Sequence, residues 1–287
     1  MRKGMPQFLT IVSVSLLFVL HAPILYCADV VITGTQKPKQ GEIFPVKVLS
    51  DEELVKVKVQ YGKESVYLRC EGKRAEGWFG FDLNSSTGDK ELTLFLVKKT
   101  GTRKVTNNVK VIPAAFPTQH IQGVEDSYVN PGKKEMKRIN TESALLKIIW
   151  QNSDSLIHWE DNFIPPFDSF NGNGFGRKRM INGEQRNPHT GVDAVAPRGT
   201  SVRAINHGVV KMSQELFFSG ISVVIDHGGG LFSMYFHLED STVKAGDYVE
   251  KGTLIGRVGS SGRATGPHLH LGVRIVNERV NPMDLFR

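Results

Sequence analysis

Short runs in which every second residue is apolar fill most of the chain after residue 28, and they constrain the fold more than any other feature. Between Asp29 and Pro113 these are "FPVKVLS", "LVKVKVQYG", "SVYLRC", "GWFGFDL", "ELTLFLVKK" and "KVTNNVKVI". Turn-forming "KQGE" and "STGDK" separate several of them. Successive side chains of a strand point to opposite faces, so such runs bury one face and wet the other. The spacing predicts a small antiparallel sandwich of immunoglobulin-like type over residues 29–113. Nothing in that stretch gathers His, Asp and Glu at ligand spacing, so it reads as a positioning or binding domain rather than a catalytic one.

Residues 114–166 break the pattern. "FPTQHIQGVEDSYVNPGKKEMKRIN" is polar and irregular, and "TESALLKIIWQ" then predicts a short helix with an apolar stripe at Ala144, Leu145, Ile148 and Ile149. Pro165, Pro166 and the Gly/Asn run "NGNGFG" mark the passage into a second domain over 167–287, with "NGNGFG" as a flexible groove wall. Its runs "SVRAI", "GVVKMS", "ISVVIDHG", "LFSMYFHL", "TLIGRVG" and "HLHLGVRIV" are again β-type, so the whole chain reads as mainly β. "VKAGDYVEKGTLIG" resembles the turns of biotinyl and lipoyl carrier domains. It shows no displayed lysine at a hairpin tip, and turn-making glycines explain it better.

The first 28 residues read as a secretory signal peptide. A basic start at Arg2 and Lys3 precedes an uncharged apolar run, Phe8 to Leu20. That run is shorter than the roughly 20 residues a spanning helix needs. Export is therefore expected, to the periplasm or cell envelope, with no transmembrane helix in the mature chain. A lipid anchor on Cys27 is the alternative, which the bulky Tyr26 disfavours; otherwise Cys70 stands alone and no disulfide framework exists. Removing this segment lowers the formal charge from +7 to +5, which suits an anionic envelope polymer and gives nucleic-acid binding little support.

Two clusters in the second domain carry chemistry. In "TGPHLHLGV", His268 and His270 face one way and Leu269 and Leu271 the other. In "NPHTGVD", His189 and Asp193 are four residues apart and share a face if extended, with Gly191 leaving room between them. Two imidazoles and a carboxylate give three protein ligands and an open fourth position, the pattern of a catalytic rather than a structural zinc site. Geometry alone does not choose between His268 and His270 as ligand. In "LFSMYFHL", Phe232, Met234 and Phe236 alternate with Ser233, Tyr235 and His237, which aims His237 away from the apolar side. The remaining histidines, His120, His158, His207 and His227, read as structural or turn residues.

Together, "HTGVD", "YFHL" and "GPHLH" in this order resemble the M23 metallopeptidases, the lysostaphin- and LytM-like enzymes that cut peptidoglycan peptides. The likeness runs from "FGRKRMINGEQRNPHTGVD" to "VNPMDLF". It implies a LytM-like antiparallel β-sheet metallopeptidase domain with one Zn²⁺ on His189, Asp193 and His270, and His237 and His268 as the catalytic pair. It also implies peptidoglycan peptides as substrate, with stem cross-links preferred over a glycine bridge. A non-catalytic peptidoglycan binder or amidase activator of the same fold is the rival reading; the intact ligand set argues against it. Oligomeric state has no signature in the sequence.

Overall fold

The computed structural model describes residues 29–287 apart from residue 161, so the expected signal peptide and Cys27 lie outside the described residues. The alternating runs of the first region form β1 (Val30–Thr33), β2 (Ile43–Leu49), β3 (Leu54–Tyr61), β4 (Glu64–Glu71), β5 (Arg74–Gly80), β6 (Gly88–Lys98) and β7 (Gly101–Val111). They make a seven-stranded sheet in the order β1-β2-β5-β4-β3-β6-β7, and every neighbouring pair is antiparallel. Strand β4 pairs with β3 through Tyr67 and Leu68 and with β5 from Arg69 onward. A parallel bridge from Lys39 to Ile112 brings the segment after β1 back to the end of β7. Val46, Val48, Val57, Val59, Leu94 and Leu96 are fully buried, while Lys47 and Lys56 between them are exposed, as the alternation requires.

The connecting region holds β8 (Thr118–Ile121), α1 (Asp126–Val129) and α2 (Lys133–Gln151). Helix α2 starts two turns earlier than the apolar pattern predicts and takes in the whole of the polar "KKEMKRIN". Its rotation differs too. Ile149 and Trp150 are buried and Leu146 packs beside them, whereas Leu145 and Ile148 are exposed. The indole is the largest apolar surface on the helix, and it turns the helix so that Trp150 meets Phe232 edge-on, with ring centroids 5.1 Å apart.

Strand β8 pairs in parallel with β9 (Lys178–Ile181), which forms a hairpin with β10 (Glu184–Arg186). The remaining strands are β11 (Gly191–Val195), β12 (Ser201–Arg203), β13 (Gly208–Leu216), β14 (Gly220–Asp226), β15 (Leu231–Ser241), β16 (Tyr248–Val249), β17 (Leu254–Val258), β18 (His268–Ile275) and β19 (Glu278–Val280). They form a nine-stranded sheet with the central order β11-β18-β15-β14-β13-β16; β17 bridges β12 and β15, and β19 flanks β18. "VKAGDYVEKGTLIG" folds into the turns around β16 and β17. No helix among the described residues is long and apolar enough to cross a membrane.

The two sheets share one continuous apolar core, to which the first contributes Phe44, Phe79 and Phe81 and the second Leu271, Ile275 and Val280. Polar ties reinforce it. The Arg279 guanidinium donates to both Asp82 oxygens at 2.6 and 2.7 Å, and the Tyr67 amide donates to the Gly229 carbonyl at 3.0 Å. The first region thereby braces β18 and β19, and β18 carries two of the candidate site histidines.

Candidate metal centre and active site

Strand register assembles the site. In β18, His270 lies opposite Asp193 of β11 on one side and opposite Phe236 of β15 on the other, so these three side chains share a face. His189, just before β11, closes the group. Ligand atoms of His189, Asp193 and His270 all lie within 4.8 Å of one another. His270 Nδ1 is 2.8 Å from Asp193 Oδ1 and 2.9 Å from His189 Nε2, and His189 Nε2 is 3.0 Å from the same carboxylate oxygen. Gly191 makes the packing possible: a Cβ there would sit 2.4 Å from the Leu271 carbonyl oxygen and 2.6 Å from His270 Nε2.

The donor set fits a cation better than a proton. His189 Nδ1 lies 2.9 Å from the Gly174 carbonyl, an acceptor only, so the ring proton sits on Nδ1 and Nε2 presents a lone pair. Burial lowers the His189 pKa to about 4, which keeps the ring neutral at pH 7. Burial pushes Asp193 the other way, but the imidazoles of His189 and His270 beside it outweigh that and hold the carboxyl below the usual range, ionised. A neutral nitrogen lone pair therefore faces a carboxylate oxygen at 3.0 Å. A divalent ion among two imidazole nitrogens and one carboxylate oxygen satisfies all three, and such N/O donors suit zinc.

Two more imidazoles stand beside this triad. His237 and His268 have ring centroids 4.8 Å apart, and His237 is 6.1 Å from His270. Each is held as His189 is: His237 Nδ1 donates to the Ser261 carbonyl and His268 Nδ1 to the Gly266 carbonyl, both at 2.8 Å. Both Nε2 atoms are left as acceptors when the rings are neutral, and His268 Nε2 is 3.8 Å from Asp193 Oδ1. Burial, reinforced by the charges of His270 and His268, lowers the His237 pKa to about 3.

His237 reaches this place by breaking the strand rule. Phe236 shares a face with His270 and stacks on its ring at 5.3 Å, nearly parallel. Strict alternation would send His237 to the opposite face. A φ of +62° at His237 instead turns its side chain back toward the site, a conformation that non-glycine residues seldom adopt and that costs about 1–3 kcal/mol. The expectation that His237 escapes an apolar face carrying Phe236 is thus corrected: the face with Met234 and Phe236 is the face of the site. Tyr235 points the other way. It is fully buried, accepts the Ile205 amide N–H at 2.9 Å, and does not line the groove.

The "NGNGFG" run is also a correction, because it is a brace and not a mobile wall. Asn173 and Asp193 exchange both backbone hydrogen bonds, at 2.9 and 3.1 Å, and the Gly176 amide donates to the His189 carbonyl. Gly174 adopts φ +92° to aim its carbonyl at His189. The sequence gives no local sign of Arg179, whose guanidinium donates to Asp193 Oδ2 at 3.2 Å from within "RKRM". Among the histidines read as structural, His227 is fully buried between the His207 carbonyl at 2.6 Å and the Ser233 hydroxyl at 2.8 Å. His158 and His207 pair with Asp154 and Glu160.

Sheet, donor triad and paired imidazoles define a β domain with a candidate metal site. Residues 187–282 match the model of peptidase family M23, so this part of the chain is an M23 peptidase domain. The DD-carboxypeptidase/endopeptidase Mpg of Neisseria meningitidis is 43% identical over 97 residues, 34% of this chain and 22% of the relative. The peptidoglycan DD-endopeptidase ShyA of Vibrio cholerae is 42% identical over 96 residues, 33% of this chain and again 22% of the relative. The matched stretch is thus about a fifth of each of these curated relatives. A crystal structure from Pseudomonas aeruginosa described as a peptidase M23 superposes with a TM-score of 0.67 at 26% identity, over 87% of this chain and 95% of that one. That likeness takes in both sheets.

Proposed function

We propose that the protein is a zinc metallo-endopeptidase of the cell envelope that hydrolyses peptide bonds of peptidoglycan, with stem-peptide cross-links as its targets. The observation that carries the reading is the convergence of the His189, Asp193 and His270 ligand atoms beside two further imidazoles with free Nε2 atoms. The relatives named for DD-endopeptidase activity support the substrate class. In this reading residues 1–28 are a signal peptide, 29–113 an immunoglobulin-like sandwich, 114–166 a linker and 167–287 the peptidase domain. The switch of β4 from pairing with β3 to pairing with β5 at Arg69 supports the sandwich.

His189, Asp193 and His270 would hold the ion. Zinc bound there supplies Lewis acidity, which polarises a scissile carbonyl and makes an attacking water easier to deprotonate. The protein does the rest. Gly174 and Asp193 fix the His189 ring, and Arg179 neutralises the outer carboxylate oxygen, the kind of supporting contact that sets ligand orientation. His268 and His237 keep unprotonated Nε2 atoms over the reacting centre. One accepts the proton of the attacking water at Nε2, and only an imidazole protonated there can then steady the oxyanion or give a proton to the leaving amine. Burial keeps His237 neutral at pH 7, with Nε2 unprotonated.

The test combines zinc analysis of the purified mature chain with mass-spectrometric identification of products from defined cross-linked muropeptides. One zinc per chain and release of monomers by cleavage at the cross-link are expected. A metal-free protein that binds muropeptides and releases nothing after zinc addition would establish the binder or amidase-activator reading instead.

A further inference from the structure

Arg263 lies in the loop whose two ends orient the catalytic imidazoles, between the Ser261 carbonyl that holds His237 and the Gly266 carbonyl that holds His268. Its backbone amide donates to the Phe218 carbonyl at 2.8 Å, and its guanidinium lies over the Phe218 ring at 4.6 Å. The side chain is thus held in place and only partly exposed. Yet no carboxylate or carbonyl among the described residues accepts a hydrogen bond from it. Arg274, the comparable arginine stacked on Trp150, has the Asn277 carbonyl at 2.8 Å. The charged groups that act on Arg263 are cations, Arg179 and Arg186; burial and these two neighbours lower its pKa to about 10. Arg179 is committed to Asp193, and Arg186 to Glu184 and the Val129 carbonyl. A fixed, half-buried guanidinium with no acceptor, beside two more cations, is a site built for an anion.

We propose that Arg263 binds a substrate carboxylate, the one borne on the carbon next to the scissile amide nitrogen, and so selects stem cross-links. The inference rests on the peptidoglycan endopeptidase reading above. A cross-link formed through a diaminopimelate amine leaves a free carboxylate on the carbon bearing that amine, one bond from the nitrogen that departs. A glycine bridge has no such group. The planar, stacked guanidinium presents two parallel N–H groups that match a carboxylate. A substrate lacking that charge leaves the buried cation unpaired, which is the strongest form of rejection a polar site offers. Arg263 is a specificity residue in this role and takes no part in the proton transfers.

Two synthetic dimeric muropeptides that differ only in that group, carboxylate against primary carboxamide, test the idea with the zinc-loaded mature protein. The unmodified enzyme should favour the carboxylate dimer in kcat/KM by roughly 10–100-fold, the range of a hydrogen bond to a charged group. Arg263→Gln should lose most of that factor on the carboxylate dimer, so that the ratio between substrates falls toward one; Arg263→Lys should keep part of it. Zinc content and circular dichroism of the variants check that the loop still supports the site. Equal losses on both dimers, or a ratio that Arg263→Gln leaves intact, would overturn the assignment. Binding of the two dimers to His268→Ala, with and without Arg263→Gln, separates this inference from the enzyme reading. Cleavage of neither dimer by the unmodified protein ends the peptidase case, and the binding preference still decides the carboxylate site.

Discussion

The two large sheets of this chain solve the same folding problem differently. In the first, strands have one dry and one wet face: Val46 and Val48 are buried while Lys47 and Leu49 are exposed. In the second, the central strands are covered on both faces, and every residue from Ser222 to Asp226 and from Leu231 to Tyr235 is buried. A one-sided sheet can leave its polar groups to water. A two-sided sheet must pair them internally, because an unpaired buried polar group costs about 1–3 kcal/mol. The second sheet does so: Asp226 accepts from Ser153, the Asp154 amide and the Gly228 amide, and His227, Ser233 and Tyr235 form a bonded chain. Five imidazole and carboxylate groups then converge at one end of β18, three of them with ring protons already committed to backbone carbonyls. Burial in a sheet dry on both sides keeps His189 and His237 neutral at pH 7, so their Nε2 lone pairs stay open to a cation or a hydrogen-bond donor.

If that contrast is right, removing one of these groups should harm function far more than any change on the first sheet. Asp193→Ala should abolish zinc retention and lower muropeptide turnover by more than about 1,000-fold, since the ion's chemistry goes with it. Val55→Thr on the wet face of the first sheet should alter neither. Zinc per chain by mass spectrometry and turnover of a cross-linked dimer measure both. Stoichiometric zinc in Asp193→Ala would break the comparison.

His268→Ala comes next. Zinc should stay, because His268 is outside the ligand triad, while turnover falls about 100- to 10,000-fold through loss of a proton-transfer group. A near-normal rate would take His268 out of the catalytic pair. Smaller still is Gly191→Ala. The added Cβ meets the Leu271 carbonyl and His270, so β11 and β18 must separate. Zinc affinity should fall about 10- to 100-fold, as expected when a ligand's support is disturbed, alongside about 1–3 kcal/mol of stability from overpacking. Unchanged zinc affinity would show that His270 tolerates a shift, and that the site is looser than its burial implies.

How much of this was legible beforehand depends on which rule governs each residue. His189, Asp193, His268 and His270 could be placed on one face because they sit in ordinary extended chain with a period of two. The choice of His270 as ligand came from family likeness, because it rests on the register of β18 against β11, which no local pattern encodes. The motif singles out His237, but alternation places it on the wrong face, since its φ of +62° reverses the alternation at one residue. Arg179, the Gly174 carbonyl and the loop carbonyls of Ser261 and Gly266 act through long-range or backbone contacts that leave no side-chain pattern. The rotation of α2 was missed for a related reason: the stripe of Ala144, Leu145, Ile148 and Ile149 fits helical spacing, but Trp150 outweighs it once a partner surface exists.

The seam between the sheets sharpens the comparison from the stability side. Asp82 of the first region takes two hydrogen bonds from the Arg279 guanidinium, one from the Arg279 amide and one from the Asn84 amide. Burial pushes its pKa up, but these donors outweigh that and hold it below the usual carboxylate value. A depressed folded pKa means the stabilisation is fully present above the unfolded value of about 3.9 and is lost as pH falls through the folded value. Glu278 nearby is pushed up by burial and contributes with the opposite sign. The useful readout is therefore the difference between the unmodified chain and Asp82→Asn. That difference should be about 1.5–3 kcal/mol at pH 7 and should shrink toward zero in acid below the ordinary Asp range, as followed by denaturant unfolding at a series of pH values. Metal-free samples remove the zinc linkage from the comparison. A gap that persists in acid would mean that Asp82 works by shape and neutral hydrogen bonds and not by its charge.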